Sequence, residues 1–254
     1  MHKPKVGLAL GSGGARGIAH VGVIKVLEEE GIPIDFIAGS SMGSLVGAFY
    51  AAGINPDMMK KLAQNIKRSY WLDLTVPKMG FIAGDKIKEM VRLLTQGKNL
   101  EDLATPLSVV ATSLHTGERV VFKKGPIAQA VRASISIPGI FVPEVVDGHT
   151  LVDGGVIDRV PITVVKEMGA DVVIGVDVGM ISTEGKFTSI FDVIAQSIQV
   201  MEREIFRYRI LEADVLITPD VGHLSATSFD QIDELITAGE KAARNALDQI
   251  KEVL

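Results

Sequence analysis

Ser41 lies in the run Gly39-Ser40-Ser41-Met42-Gly43. Glycines two positions either side of a serine suit a nucleophilic hydroxyl on a tight strand-to-helix turn, because they let the two backbones pass closely. Asp35-Phe36-Ile37-Ala38 ahead of it is short and apolar, and Ser44–Ala52 behind it reads as a buried helix that stops before Gly53. Ser41 then stands at a helix N-terminus, where free N–H groups and the helix dipole favour developing negative charge. A second glycine-rich turn, Gly11-Ser12-Gly13-Gly14-Ala15-Arg16-Gly17, follows the apolar run Val6–Leu10 and precedes a helix. Loops of this kind turn successive N–H groups toward an anion. A dinucleotide phosphate fits poorly: Arg16 stands where the fingerprint needs its third glycine, and Gly39-Ser40-Ser41 replaces the expected acidic residue. If the first two strands are neighbours, both turns face one crevice at the carboxyl ends of the strands. The N–H groups of Gly13 and Gly14, and that of Met42 just after the serine, can then receive the oxyanion formed when Ser41 attacks an ester.

A serine nucleophile also needs a base. Of the five histidines, His2 is terminal and His20 falls within the first helix. His115 and His149 fall in turns. His223 lies late in the chain, where a Ser-His-Asp hydrolase of α/β build carries its histidine. The other candidate is Asp153, at a strand end in Asp153-Gly154-Gly155, where two glycines permit unusual backbone angles and leave the carboxylate uncrowded. The residues alone leave both assignments open.

The elements that must position these groups alternate between Val/Ile-rich runs and helical stretches, an α/β pattern. Strands are expected at Val6–Leu10, Phe36–Ala38, Leu107–Leu114, Arg119–Lys123, Val172–Val178 and Val215–Thr218. Helices are expected at Ile18–Glu30, Pro56–Arg68, Asp85–Thr95, Ile127–Ser134, Pro161–Met168, Ile190–Leu211 and Gln231–Val253. With 254 residues, 47% of them hydrophobic, and no linker or repeat, residues 1–254 read as one domain with a loop-rich insertion at 70–84. Met58, Met59, Tyr70, Trp71, Leu72, Phe81 and Ile82 are candidates to line or cover an apolar trough. Ile194, Ile198, Met201, Ile205 and Phe206 read as a core stripe. Arg203, Arg207 and Arg209, alternating with Glu202, Glu204 and Glu212, read as a solvated face. A net charge of −5 argues against nucleic acid, and zero cysteines exclude disulfides and thiolate chemistry. The first apolar run is too short for a signal peptide, so the chain is expected in the cytoplasm.

The ordered set Gly11–Gly17, Gly39–Gly43 and Asp153-Gly154-Gly155 resembles the bacterial patatin-like phospholipases. The similarity extends to Ala133–Phe141 and Leu151–Pro161 and spans about residues 5–180. It implies a three-layer α/β/α sandwich with a mostly parallel central sheet, and a Ser-Asp dyad without histidine. Carried over by motif, Ser41 is the nucleophile, Asp153 the base, and Gly13 and Gly14 oxyanion donors. Arg16 occupies the family's basic position, stabilising the loop or approaching a substrate phosphate. Ser12 departs from the third glycine of plant patatins. The implied function is hydrolysis of phospholipid, lysophospholipid or related acyl esters without cofactor or metal, with transient contact at the inner membrane face. The alternative is a regulatory or adaptor protein of the same fold. Headgroup, acyl length and oligomeric state are not legible.

Overall fold

The structure is a computed structural model that describes residues 3–76, 78–179, 190–207, 212–227 and 229–254. Eight strands form one sheet: β1 (Val6–Leu10), β2 (Phe36–Ser40), β3 (Leu107–Ser113), β4 (Arg119–Phe122), β5 (Glu144–Val146), β6 (His149–Asp153), β7 (Val172–Val176) and β8 (Val215–Ile217). Their order is β5-β6-β3-β2-β1-β7-β8, with β4 also paired to β3. Pairings among β3, β2, β1, β7 and β8 are parallel, and those of β4, β5 and β6 antiparallel. The expected neighbours β1 and β2 are adjacent and parallel.

Helices cover both faces: α1 (Ala19–Glu29), α2 (Met42–Ala51), α3 (Pro56–Asn65), α4 (Asp85–Leu94), α5 (Ile127–Ser134), α6 (Ile162–Glu167), α7 (Ile190–Phe206), α8 (Ile232–Asn245) and α9 (Leu247–Val253). Side chains alternate across a strand, and the strands divide accordingly. Val6, Leu8, Leu10, Ile37, Val109, Ile174 and Val176 join α1, α2 and α8 in the larger core. Ala9, Ala38, Val110 and Val173 face α6 in the smaller one. This is the expected three-layer α/β/α sandwich. Parallel strands covered on both faces explain why β1 and β7 are buried along their whole length.

Three boundaries differ from expectation. The last helix breaks at Ala246 into α8 and α9. Among its described residues, the expected insertion at 70–84 begins at the end of a short 3-10 turn (Arg68–Tyr70) and carries isolated bridges from Leu74 to Ile82 and from Ile82 to Phe141. The β5–β6 hairpin, with His149 starting a strand, was not anticipated. Its two-residue turn uses Asp147 and Gly148, both at positive φ (50° and 80°), the requirement of a type I′ turn. The end of the expected Ile190–Leu211 helix, with Arg209, lies outside the described residues.

The register of β3 places the site. One edge of β3 is taken by β4 along Val109–Thr112. The other is shared end to end: β2 pairs up to Ser40↔Val110, and β6 takes over at Asp153↔Ala111. Two strands running in opposite directions thus finish at consecutive positions of one template.

Candidate active site

Ser41 follows β2 directly and precedes α2, with φ 53° and ψ −124°. This is the left-handed side of backbone space that a non-glycine residue rarely enters, and such strain gathers at functional turns. Local bonds hold it. The Ser41 carbonyl accepts from the N–H groups of Ser44 (2.9 Å) and Leu45 (3.2 Å) and from Ser44 Oγ (2.7 Å). Its own N–H donates to Ser134 Oγ at 2.9 Å. Gly43 allows the turn to lie against β1: a Cβ there would fall 2.1 Å from the Leu10 carbonyl oxygen.

The Ser41 hydroxyl donates to Asp153 Oδ2 at 2.5 Å, and both residues are 3% exposed. Asp153 Oδ1 accepts from the Gly155 N–H at 2.8 Å. The Asp153 N–H donates to the Ser136 carbonyl (3.0 Å), and its carbonyl accepts from Thr112 Oγ1 (2.9 Å). One carboxylate oxygen is therefore fixed by the backbone and the other is left for the serine. Burial pushes the Asp153 carboxyl up to about 6, against the opposing pull of the Ser41 hydroxyl, the Gly155 N–H and the nearby Arg159 cation. Gly154 makes the abutment feasible, because a Cβ there would meet the Val110 carbonyl oxygen at 2.2 Å and Ser40 Oγ at 2.6 Å.

The first glycine loop arches beside this pair. Gly11 N–H bonds the Val176 carbonyl (3.0 Å), Ser12 N–H the Arg159 carbonyl (2.9 Å) and Ala15 N–H the Ala226 carbonyl (2.8 Å). Among the described residues, the N–H groups of Gly13, Gly14, Met42 and Gly43 have no hydrogen-bond acceptor. Arg16 is 3% exposed. Its guanidinium donates to the carbonyls of Leu224 (2.8 Å) and Gly222 (3.1 Å), clamping the loop to the segment before α8. Burial lowers its pKa, helped by the nearby Arg159 charge.

The histidines are placed elsewhere. His20 is fully buried in α1, and burial depresses it to about 4. It is neutral at pH 7, so the ring Nε2–H donates to the Gly11 carbonyl (2.8 Å) and braces the glycine loop. His223 is exposed and bonds Glu234 of α8 at 3.1 Å. The expected trough residues divide: Met59 is core, Trp71 and Ile82 pack on the core, and Met58, Tyr70 and Phe81 are exposed.

Three residues to which the sequence assigned no site role complete the surroundings. Ser134 Oγ accepts the Ser41 N–H across a separation of 93 residues. Arg159 is buried, with Nε 3.1 Å from Asp177 Oδ1 and Nη1 3.2 Å from Glu202 Oε2. Glu202 departs from the solvated face expected for α7: it is 5% exposed. Its carboxyl is pushed up to about 8 by burial, with Arg159 opposing and Asp153 and Asp177 reinforcing the shift. The α7 stripe also splits, since Phe206 is buried while Met201 and Ile205 are exposed.

The fold is an α/β/α sandwich in which a buried serine–carboxylate hydrogen bond joins the ends of β2 and β6. Residues 8–166 match the family model of the patatin-like phospholipases, and the chain belongs to that family. An NTE family protein of Mycobacterium tuberculosis, Rv1063c, is 44% identical over 176 residues, covering 68% of this chain and 49% of the relative. Human patatin-like phospholipase domain-containing protein 6 is 38% identical over 182 residues, covering 68% of this chain and 13% of the relative. Lysophospholipase nte1 of Aspergillus fumigatus is 40% identical over 183 residues, covering 69% and 12%. The chain thus spans about half of the mycobacterial relative and a small part of the other two. VipD of Legionella pneumophila shares the fold, with a TM-score of 0.69 at 17% identity, covering 97% of this chain and 67% of that one.

Proposed function

We propose that the chain is a serine lipid acyl hydrolase that cleaves carboxylic esters of lysophospholipids, phospholipids or related lipids through an acyl-enzyme on Ser41. The observation that carries this reading is the 2.5 Å hydrogen bond from Ser41 Oγ to Asp153 Oδ2. On attack, Asp153 accepts the hydroxyl proton as Oγ bonds the ester carbonyl carbon, and it returns that proton to the leaving alcohol. Water, deprotonated by the same carboxylate, then releases the acid. A carboxylate of ordinary pKa is a weak base for a serine, so the burial that raises Asp153 to about 6 works in the direction the chemistry needs. The N–H groups of Gly13, Gly14 and Met42 receive the oxyanion, each donor of this kind being worth about 10²–10³ in rate. Arg16 contributes by holding that loop in shape, consistent with its bonds to two carbonyls.

Lysophospholipid is the favoured substrate class because the Aspergillus relative carries the name of a lysophospholipase. Contact with a membrane surface is supported by exposed apolar side chains at Leu74, Val76, Met79, Val193, Val200 and Met201. Among the described residues no helix is long and apolar enough to cross a membrane. The proposed site of action is the inner membrane face, reached from the cytoplasm. The test is a panel of short-chain nitrophenyl esters, lysophospholipids and phospholipids assayed on wild type beside Ser41→Ala. Hydrolysis that vanishes in the variant supports the reading. Folded wild type inert on the whole panel sinks it in favour of an adaptor.

A further inference from the structure

Arg159 joins the first glycine loop, the segment after β7 and α7 beside Asp153. Its carbonyl accepts the Ser12 N–H and so anchors the first glycine loop. Its guanidinium, with 1% side-chain exposure, bridges Asp177 beyond β7 and Glu202 of α7. Nη2 is buried without a partner among the described residues and fills the space a Cβ of Gly179 would need, 0.5 Å from that position. Gly179 in turn donates its N–H to Asp177 Oδ1 (2.9 Å), so the cation lies in a seat formed by backbone and carboxylate. Glu202 completes the circuit. Its Oε1 is 2.7 Å from where a Cβ of Gly155 would lie, and Ser12 Oγ is 2.6 Å from the same point. Gly155 is thereby held between the glycine loop and α7, while its N–H fixes Asp153 Oδ1.

We propose that Arg159 is the positioning residue of the Ser41–Asp153 pair, locking the Asp-Gly-Gly turn between the first glycine loop and α7 and supplying positive charge beside the buried carboxylate. The inference rests on the hydrolase reading above for its consequence in rate, but not for its electrostatics. The charged groups facing Arg159 are Asp153 on β6, Asp177 after β7, Glu202 on α7 and Arg16 on the first loop. Arg159 favours the ionised Asp153 and opposes its upward shift.

Arg159→Met alone leaves Glu202 buried without its cation and risks misfolding, so the informative pair is Arg159→Lys and the double variant Arg159→Met/Glu202→Gln. The carboxyl of Asp153 is titrated directly by carbon-13 NMR, identified by its absence in Asp153→Asn, alongside the pH profile of kcat/KM on a nitrophenyl ester. Loss of the cation raises the Asp153 midpoint by about one pH unit in the double variant, the scale for an opposite charge within several ångströms. The acid limb of kcat/KM moves up with it. Arg159→Lys keeps the charge and leaves the midpoint in place, while kcat falls because a single ammonium cannot bridge two carboxylates as the guanidinium fork does. A folded double variant with an unmoved midpoint overturns the proposal, as does a lysine variant that shifts as far as the double. If the NMR midpoint moves as stated but wild type shows no Ser41-dependent hydrolysis, the hydrolase reading fails and the positioning role stands.

Discussion

The two glycine turns that meet at the site are held by different kinds of contact. The turn at Ser41 is pressed against backbone: a Cβ on Gly43 would meet the carbonyl of Leu10, and one on Gly39 the backbone of Ser44. The turn at Asp153 has backbone on one side only. Gly154 abuts the Val110 carbonyl, but Gly155 lies between the side chains of Ser12 and Glu202. Backbone carbonyls cannot rotate aside, whereas side chains can. Ser41 is therefore seated against backbone and Asp153 against side chains, and the ionisation of Asp153 depends on groups that other elements bring to it.

Removing either functional group is the most severe way to probe the comparison. Ser41→Ala should lower kcat/KM about 10⁴- to 10⁶-fold, as nucleophile deletion does in other serine hydrolases, with the far-UV circular dichroism spectrum unchanged. Asp153→Asn should cost about 10⁴-fold in the same assay, the scale seen when a buried carboxylate of a serine triad is neutralised.

The glycines come next and test the comparison itself. Gly43→Ala should destabilise the fold by about 3 kcal/mol, at the upper end of overpacking effects, because β1 cannot yield to the new methyl. Gly155→Ala should cost less, about 1–2 kcal/mol, because Ser12 Oγ and Glu202 Oε1 can rotate while only Ser12 Cβ, 2.8 Å from the new methyl, must shift with its backbone, yet it should slow hydrolysis about tenfold to a hundredfold through displaced geometry. Equal losses of stability, measured by urea unfolding, would erase the distinction.

Protonation gives a smaller effect of opposite sign. Asp153 has a folded pKa raised from 3.8 to about 6. The native state therefore holds this proton more tightly than the unfolded chain, and ionisation costs stability as pH rises from about 4 to about 6, up to about 3 kcal/mol above that range. Asp153→Asn should accordingly be more stable than wild type at pH 7 by about 1–3 kcal/mol, with the gain gone at pH 4. Thermal melts at the two pH values check this. Wild-type kcat/KM should fall as pH drops through about 6. His223→Ala should do least, within about twofold of wild type, because the ring is exposed and bonded to Glu234. A loss of several orders of magnitude there would restore the triad.

What was legible in the chain follows the same division. The elbow, the first glycine loop and the Asp-Gly-Gly turn are local patterns whose glycines record close approach, so they could be read and ordered before any fold was known. The alternation of apolar runs likewise gave the layers. The partners of those turns were not legible. Ser134 reaches Ser41 over 93 residues and Glu202 reaches Arg159 over 43, and nothing in either spacing marks the pairing. Glu202 reads as solvated because it stands among alternating charges with Arg203, Glu204 and Arg207; helix periodicity cannot say that a neighbouring cation waits on the buried side. At the β5–β6 hairpin the turn was legible in Asp147-Gly148, but the three-residue run Glu144–Val146 is too short to mark a strand by its pattern.

The most direct test of the two-residue site is labelling of the folded protein with a fluorophosphonate, with the modified residue located by mass spectrometry. Wild type should be modified at Ser41 alone, Ser41→Ala not at all, and Asp153→Asn at least a hundredfold more slowly, about the lower end of general-base effects. Labelling of Asp153→Asn at the wild-type rate, or modification at a different residue, would show that the Ser41–Asp153 pair is not the engine.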